Sequence, residues 1–400
     1  MLSRSPASEL IHHPYQPPTG FEAPQAGIHK ASTVIFANVA ALRARDWRVK
    51  TGYTYGLHGT PTTFRLEERI ATLEGARQCL LVPSGLAAIA LVNQALLSQG
   101  DEVLLPANVY GPSRELARQA LARWGIGHRV YDPMDPATLA AAIGPNTRLV
   151  WLEAPGSVTM EFPDLPALAA LARSRGVLCA LDNTWGAGLA FNGFERGADI
   201  VMQALTKYPS GGGDVLMGSV CTRDTALHER IKLTHMHTGM GVAGNDAELV
   251  LRSLATLPLR YQAQDHGGRA LAAWLAGRAE VARVLHPAMP GSPGHEHWRA
   301  HCTAAAGLFS VLLHERFSAA QVDAFVDALR LFKIGYSWAG PMSLVVPYSL
   351  AQLRPHPSSA PNALQGHLLR FSVGFEETQA LLADLEQALE KAFSDSSLRP

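Results

Sequence analysis

A chain of 400 residues is long enough for one large domain and a smaller one, each with its own buried core. Its 34 basic and 34 acidic side chains cancel, which removes the basic footprint of a protein that neutralises nucleic-acid phosphates. The four cysteines, Cys79, Cys179, Cys221 and Cys302, stand far apart with no CxxC or CxxxH spacing; this argues against a zinc site or a disulfide framework and predicts reduced thiols in a cytoplasmic protein.

From Ser3 to Gly20 the chain reads SRSPASELIHHPYQPPTG, without the apolar stretch and cleavage site of a secretory signal, so the mature chain is expected to begin where the gene does. No run of 18 or more apolar residues occurs, and no membrane span is expected. Residues 1–55 are rich in proline, glycine and isolated aromatics and read as an arm that lies over something else. At Phe64 the pattern changes: Phe64, Leu66, Ile70 and Leu73 have helical spacing, and Gly75 is placed to end the helix. Short apolar runs then alternate with helical stretches: Cys79–Val82, LAAIALVNQALL, Glu102–Pro106, SRELARQALARW, Arg148–Leu152, Ala167–Arg175, Val177–Leu181, Ile200–Ala204 and Leu216–Val220. This βαβα order predicts an α/β domain over 56–250 with a large, mostly parallel sheet covered on both faces. Over 251–400 the Ala-rich helices Ala270–Ala279 and Ala319–Leu331, two short apolar stretches and an amphipathic helix near Glu377–Phe393 predict a smaller α+β domain, with Ala351–Ala363 a surface loop.

In an open parallel sheet ligands bind beyond the carboxyl ends of the strands. Pro83-Ser84-Gly85-Leu86 follows the first strand and opens a helix, an arrangement that aims free amides at an anion such as phosphate, or simply a serine cap. Tyr110 follows the next strand; alone it reads as packing. Asp182 ends a wholly apolar strand, where an unpaired charge is expensive: it is either a turn cap or the partner of a cation such as a protonated pyridine nitrogen. Lys207 follows Ile200–Leu205 among apolar neighbours, where its pKa could fall enough for Schiff-base chemistry, although surface lysines are commoner. The case rests on the four occurring together on successive strand ends. His235 and His237 lack a third metal ligand and are expected on a loop near the site's mouth; His295 and His297 beside Trp298 are expected in a surface turn, and His12 and His13 in the arm.

The segments TYGLHGTPTTFRLEERIATLEG (54–75), LEAPGSVTMEFPDL (152–165), LDNTWGAGLAFNGFERGADIVMQALTKY (181–208) and YSWAG (336–340) closely resemble the Cys/Met-metabolism family of pyridoxal-phosphate enzymes. Within that family they are nearest the cystathionine β-lyase branch. The resemblance, from about residue 25 onward, implies an aspartate-aminotransferase-like (fold type I) architecture and pyridoxal 5'-phosphate as cofactor. It implies that Lys207 carries the cofactor and shuttles the proton between Cα and the leaving sulfur, that Asp182 keeps the ring nitrogen protonated, and that Tyr110 stacks on the ring. It places Gly85, Leu86 and Thr206 at the phosphate and Tyr55 at the phosphate of a neighbouring subunit, so the active site is shared across a dimer of a homotetramer. Arg370 is implied to grip the substrate α-carboxylate, a task suited to its bidentate fork, with Ser337 and Trp338 lining the same pocket. The chain departs from the pattern at Leu57 and His58, where the family has an arginine two residues after the tyrosine; either another cation, His58 or Arg65, replaces it, or the backbone donors at Gly85 and Leu86 suffice. Gly211-Gly212-Gly213-Asp214 stands where the family has GHSD, which implies a more flexible loop.

The expected reaction is β-elimination from L-cystathionine, giving homocysteine, pyruvate and ammonia, a step of methionine biosynthesis. The choice of β over γ chemistry rests on Tyr336-Ser337-Trp338. A broader C–S lyase acting on cysteine conjugates or cystine, a γ-acting transsulfuration enzyme and a non-catalytic regulatory protein that binds pyridoxal phosphate remain alternatives at this point.

Overall fold

The computed structural model describes residues 6–23, 25–50, 52–353 and 364–393. The proline-rich arm carries two short helices, α1 (Pro6–Ile11) and α2 (Val39–Arg43), the second capped by Asn38, whose Oδ1 accepts the Ala41 N–H at 2.8 Å. Leu10 is buried against α3 (Pro61–Glu74), which fastens the start of the arm to that helix, while most of the described residues from Ile11 to Lys50 are exposed. Helix α3 starts and stops where its sequence dictates. Thr60 and Thr63 exchange side-chain and backbone hydrogen bonds, Pro61 fills the first turn, and Gly75 ends it at φ 69°, a left-handed conformation that glycine adopts without strain.

There follow β1 (Gln78–Val82), α4 (Gly85–Leu96), β2 (Glu102–Pro106), α5 (Gly111–Glu115), β3 (Gly127–Tyr131), α6 (Pro136–Ala142), β4 (Thr147–Glu153), α7 (Leu165–Ser174), β5 (Leu178–Asp182), β6 (Ile200–Gln203) and β7 (Gly218–Thr222). The helix expected over SRELARQALARW is α5 continued by a wider turn at Leu116–Leu121. Strand β3 escaped the sequence reading because it is a largely exposed edge strand, GHRVY, with no apolar run.

The seven strands form one sheet in the order β1-β7-β6-β5-β4-β2-β3, parallel throughout except that β7 runs against both neighbours. Strands β1 to β6 therefore all end at one edge, and β7 begins there. One face is buried beneath Leu66 and Ile70 of α3 and Leu168 of α7; the other is covered by Ile89 and Val92 of α4. Each such side chain contributes about 1.5–3 kcal/mol on leaving water.

Beyond β7 lie α8 (Thr225–Thr238), α9 (Gly244–Leu254) and α10 (Leu257–Ala276). A second sheet is built from β8 (Val281–Leu285), β9 (Leu308–Leu313), β10 (Lys333–Ile334), β11 (Leu344–Tyr348) and β12 (His367–Ser372), in the order β10-β11-β12-β9-β8. The intervening helices are α11 (His295–His301), α12 (Ala319–Ala328) and α13 (Leu350–Leu353), and α14 (Thr378–Phe393) closes the described chain. Leu271, Phe325 and Leu385 from α10, α12 and α14 bury the face of this sheet that carries Phe309 and Phe371.

Two expectations are corrected. His235 and His237 are in the last turn of α8, which Asp224 caps and Gly239 ends, and not on a loop; the His235 ring is buried with Nε2 2.9 Å from the Leu81 carbonyl. His295, His297 and Trp298 belong to α11, a seven-residue helix too short to show a period in sequence. The expected loop Ala351–Ala363 lies, past Leu353, outside the described residues. Among the described residues no cluster could hold a metal ion, and no helix is long and apolar enough to cross a membrane.

Candidate active site

The carboxyl edge of the large sheet brings together residues far apart in sequence. Asp182 is the last residue of β5, and its Oδ1 accepts the Thr184 N–H at 2.9 Å. Burial raises its pKa above the ordinary carboxylate value; the Thr184 hydrogen bonds and the charge of Lys207 oppose that rise. Lys207 follows β6. Its Nζ donates to Ser337 Oγ at 2.7 Å and lies 5.5 Å from the centre of the Trp338 ring. Burial first, then the nearby Arg370 guanidinium, bring its pKa down to about 8, with Asp182 pulling the other way. Tyr110 caps α5, its ring two-fifths exposed to the crevice, and its N–H donates to Glu153 Oε2 at 2.8 Å.

At the turn after β1, Ser84 Oγ accepts the Ala87 N–H at 3.0 Å, and the first-turn amides of Gly85 and Leu86 have no carbonyl partner within α4. A Cβ at Gly85 would stand 2.6 Å from the Ala204 Cβ, so only glycine lets this turn approach the loop after β6 so closely. Thr206 Oγ1 donates to the Met217 carbonyl and accepts the Met217 N–H at 3.0 Å, so it must turn away from that carbonyl before it can donate elsewhere.

The second sheet closes the crevice. Arg370, in the middle of β12, is buried; it donates to the Ser337 carbonyl at 3.2 Å, faces the Tyr348 ring at 5.4 Å, and its Nε has no protein partner. Burial lowers its pKa, with the rings of Tyr348, Tyr336 and Tyr110 acting in the opposite sense. Ser337 holds φ 107°, a strained setting for a non-glycine residue, and both its Oγ and its carbonyl are used by Lys207 and Arg370. Trp338 meets Tyr208 edge-on at 5.5 Å.

One chain thus gathers Lys207, Asp182, Tyr110, Arg370, Ser337 and Trp338, with Gly85, Leu86 and Thr206 beside them. Tyr55 is not brought into this group: it is half exposed on the segment before α3, its ring edge-on to His58 at 6.2 Å. Of the two cations named as replacements for an arginine at Leu57, Arg65 is turned toward the arm, donating to the Pro14 carbonyl and stacking over Tyr15, while His58 Nδ1 is 2.8 Å from Thr54 Oγ1. In the glycine-rich stretch, Gly211 is buried under the Arg260 guanidinium, and Gly212, Gly213 and Asp214 are exposed.

The whole of this architecture matches a known family: the Cys/Met metabolism PLP-dependent enzymes, whose model covers residues 7–390. The chain belongs to that family. Over 393 residues it is 38% identical to a cystathionine beta-lyase of Bordetella avium, covering 96% of this chain and 97% of that one. To cystathionine beta-lyase MetC of Escherichia coli (strain K12) it is 36% identical over 366 residues, 90% of this chain and 91% of the relative. Among solved structures, cystathionine gamma synthase from Xanthomonas oryzae pv. oryzae, in complex with aminoacrylate and cysteine, superposes with a TM-score of 0.88 at 29% identity, covering 98% of this chain and 99% of the other.

As a member of this family the chain is a pyridoxal-phosphate-dependent enzyme of cysteine and methionine metabolism with the fold type I architecture. The residues fit that cofactor. A carboxylate with no lysine or arginine bonded to it among the described residues suits a protonated ring nitrogen, a lysine of pKa about 8 suits an aldehyde, and the open first turn of α4 suits a phosphate.

Two members of the constellation were not found by sequence. Glu153 ends β4 and is the register partner of Asp182 on the adjacent strand; burial, then Asp182, hold its pKa well above the usual range. Behind them Glu74, wholly buried at the end of α3, accepts hydrogen bonds from Asn183 and Gln203, and burial raises its pKa to about 7. The signal for Glu153 was present, an acid at the end of an apolar strand, as for Asp182. Glu74 stands directly before the Gly75 cap, where nothing in the sequence marks it as buried.

Proposed function

We propose that this chain is a carbon–sulfur lyase that cleaves L-cystathionine by β-elimination, releasing homocysteine and aminoacrylate, which water hydrolyses to pyruvate and ammonia. The observation that carries the reading is Lys207, held on Ser337 Oγ at 2.7 Å over Trp338, with its pKa near 8. A lysine in that setting is a competent general base close to neutral pH. When bound, pyridoxal phosphate supplies an electron sink for charge developing at the substrate Cα. Asp182 would hold its ring nitrogen, Tyr110 would pack against the ring, and Gly85, Leu86 and Thr206 would hold the phosphate, with Tyr55 of a second copy reaching the same group in a dimer of dimers. Arg370 binds the α-carboxylate through its fork, leaving Lys207 to take the Cα proton and return it to the departing sulfur as the Cβ–S bond breaks.

Ser337 links the two cations: its hydroxyl receives Lys207 and its carbonyl receives Arg370, so carboxylate binding and proton transfer are held in one frame. The similarity to a γ-synthase structure favours one second reading, γ-elimination or γ-replacement on the same frame.

Product analysis on the cofactor-loaded protein with L-cystathionine separates the readings. Pyruvate with homocysteine is expected. Formation of 2-oxobutyrate with cysteine would move the chain to the γ branch, and cofactor binding without turnover of any sulfur amino acid would leave a regulatory protein.

A further inference from the structure

Away from the crevice, a cleft of about 270 Å³ opens between the arm, α3 and α9. Its charged lining is Arg65, Arg69, Arg252 and Glu248, and its other walls include the polar Gln25 and Thr62 and the apolar Ala26 and Leu251. Arg69 is only 6% exposed, yet among the described residues it has no ion pair or hydrogen bond, and its Nε is fully enclosed. Burial and then the proximity of Arg65 lower its pKa, as expected of a cation short of a counter-charge. Arg65 spends one nitrogen on the Pro14 carbonyl at 2.9 Å and lies flat on Tyr15, which fixes its guanidinium at the rim. Glu248, one turn before Arg252 on α9, forms no ion pair with any of the three arginines. His13 lies close enough to feel both Arg65 and Arg69, and its enclosed Nδ1 also has no partner.

Burying a guanidinium without an anion is costly, and the penalty is removed when charge-assisted hydrogen bonds replace the lost water. We propose that this cleft is a binding site for a small oxyanion of at least two charges, phosphate-sized, with Arg69 as its inner ligand and Arg65 and Arg252 at its rim. The cleft volume admits such an ion with part of its hydration, and the three forks offer the bidentate donors that phosphate oxygens accept. Thr62, Arg65 and Arg69 line this cleft while Thr63 and Glu67 line the pocket beside Gly56, Leu57 and His58 on another face of α3, and the Gly85 turn proposed for the cofactor phosphate is no part of it.

The test is titration of the cofactor-loaded enzyme with inorganic phosphate, followed by calorimetry and thermal melting, with the cofactor absorption band recorded to confirm that it stays in place. Wild type should bind one added phosphate per chain and melt at higher temperature as phosphate rises. Arg69→Met should melt above wild type without phosphate, because an apolar chain of similar length replaces an unpaired buried cation, and should not respond to phosphate. Arg252→Ala alters an exposed residue; it should melt like wild type without phosphate and bind it roughly tenfold more weakly, the loss of one charge-assisted contact. Equal phosphate responses in wild type and Arg252→Ala would overturn the proposal even if Arg69→Met does not fold. So would dissociation of the assembly in Arg69→Met with no phosphate response in wild type, which would put a carboxylate of a second copy on Arg69.

Discussion

The two sheets contribute to the crevice in different ways. The large sheet offers its groups from strand ends: Glu153 and Asp182 finish β4 and β5, Lys207 follows β6, and the Gly85 turn follows β1. The smaller sheet offers Arg370 from the middle of a strand, flanked by Val346 of β11 and Ser310 of β9, and locked by the ladder on both sides. Strand-end groups sit on turns that local chemistry can reshape. A mid-strand arginine has its backbone fixed by the ladder, and here the guanidinium is held as well by the Ser337 carbonyl and the Tyr348 ring. The large sheet is thus suited to hold a cofactor and exchange protons, and the smaller one to act as a rigid anchor for the substrate.

The comparison breaks first at Lys207. Lys207→Ala should lower pyruvate release from L-cystathionine by a factor on the order of 10² to 10⁴ or more, since it removes the acid–base group. The same variant sharpens the account of its environment. In the cofactor-free protein Lys207 titrates near about 8 instead of 10.5, so between those values the folded chain binds fewer protons than the unfolded one, and stability climbs as pH rises. Urea melts should find cofactor-free Lys207→Ala more stable than wild type below pH 8, with the gap closing toward pH 10.5. A gap that is constant across this window would show that the lysine is not desolvated as described.

Arg370→Ala tests the anchor. Its expected effect is a loss of roughly 10- to 150-fold in kcat/KM, the equivalent of one charged hydrogen-bond pair, expressed mainly as a higher KM with the cofactor absorption unchanged. If kcat alone falls, the guanidinium acts on the chemistry and the division between the two sheets fails.

The smallest effect is expected at Glu74. Its pKa rises from 4.5 to about 7, so the folded chain holds an extra proton between those values and stability falls as pH rises through the window. Glu74→Gln should flatten that slope, with an amplitude of roughly 1–3 kcal/mol for a buried polar group, read by denaturation at pH 5 and pH 8.

The difference between the sheets also explains what the sequence disclosed. Asp182, Lys207 and the Ser84 turn could be found because strand ends in a parallel sheet have a known address and each follows an apolar run. Arg370 sits in HLLRFS, where nothing local separates it from any charged residue in a half-exposed strand; only family resemblance pointed to it. Glu153 has the same address as Asp182, an acid closing an apolar strand, and only the register shows the two as neighbours. Arg69 reads as part of the polar face of α3 in FRLEERIA, and becomes a buried cation only because the arm folds over that face. The seven-residue α11 and the exposed strand β3 were lost for want of periodicity.

The Glu153–Asp182 pairing has an effect beyond the site. Two carboxyl groups placed side by side on adjacent strands, both disfavoured as ions by burial, hold one negative charge between them more readily than two. Arg370 stays cationic, and Lys207 is largely so at neutral pH. Before the cofactor's own phosphate is bound, these groups together lean to the positive side. An anion approaching the cofactor-free crevice is drawn inward, and dissolved salt, by shortening the distance over which the charges are felt, slows that capture.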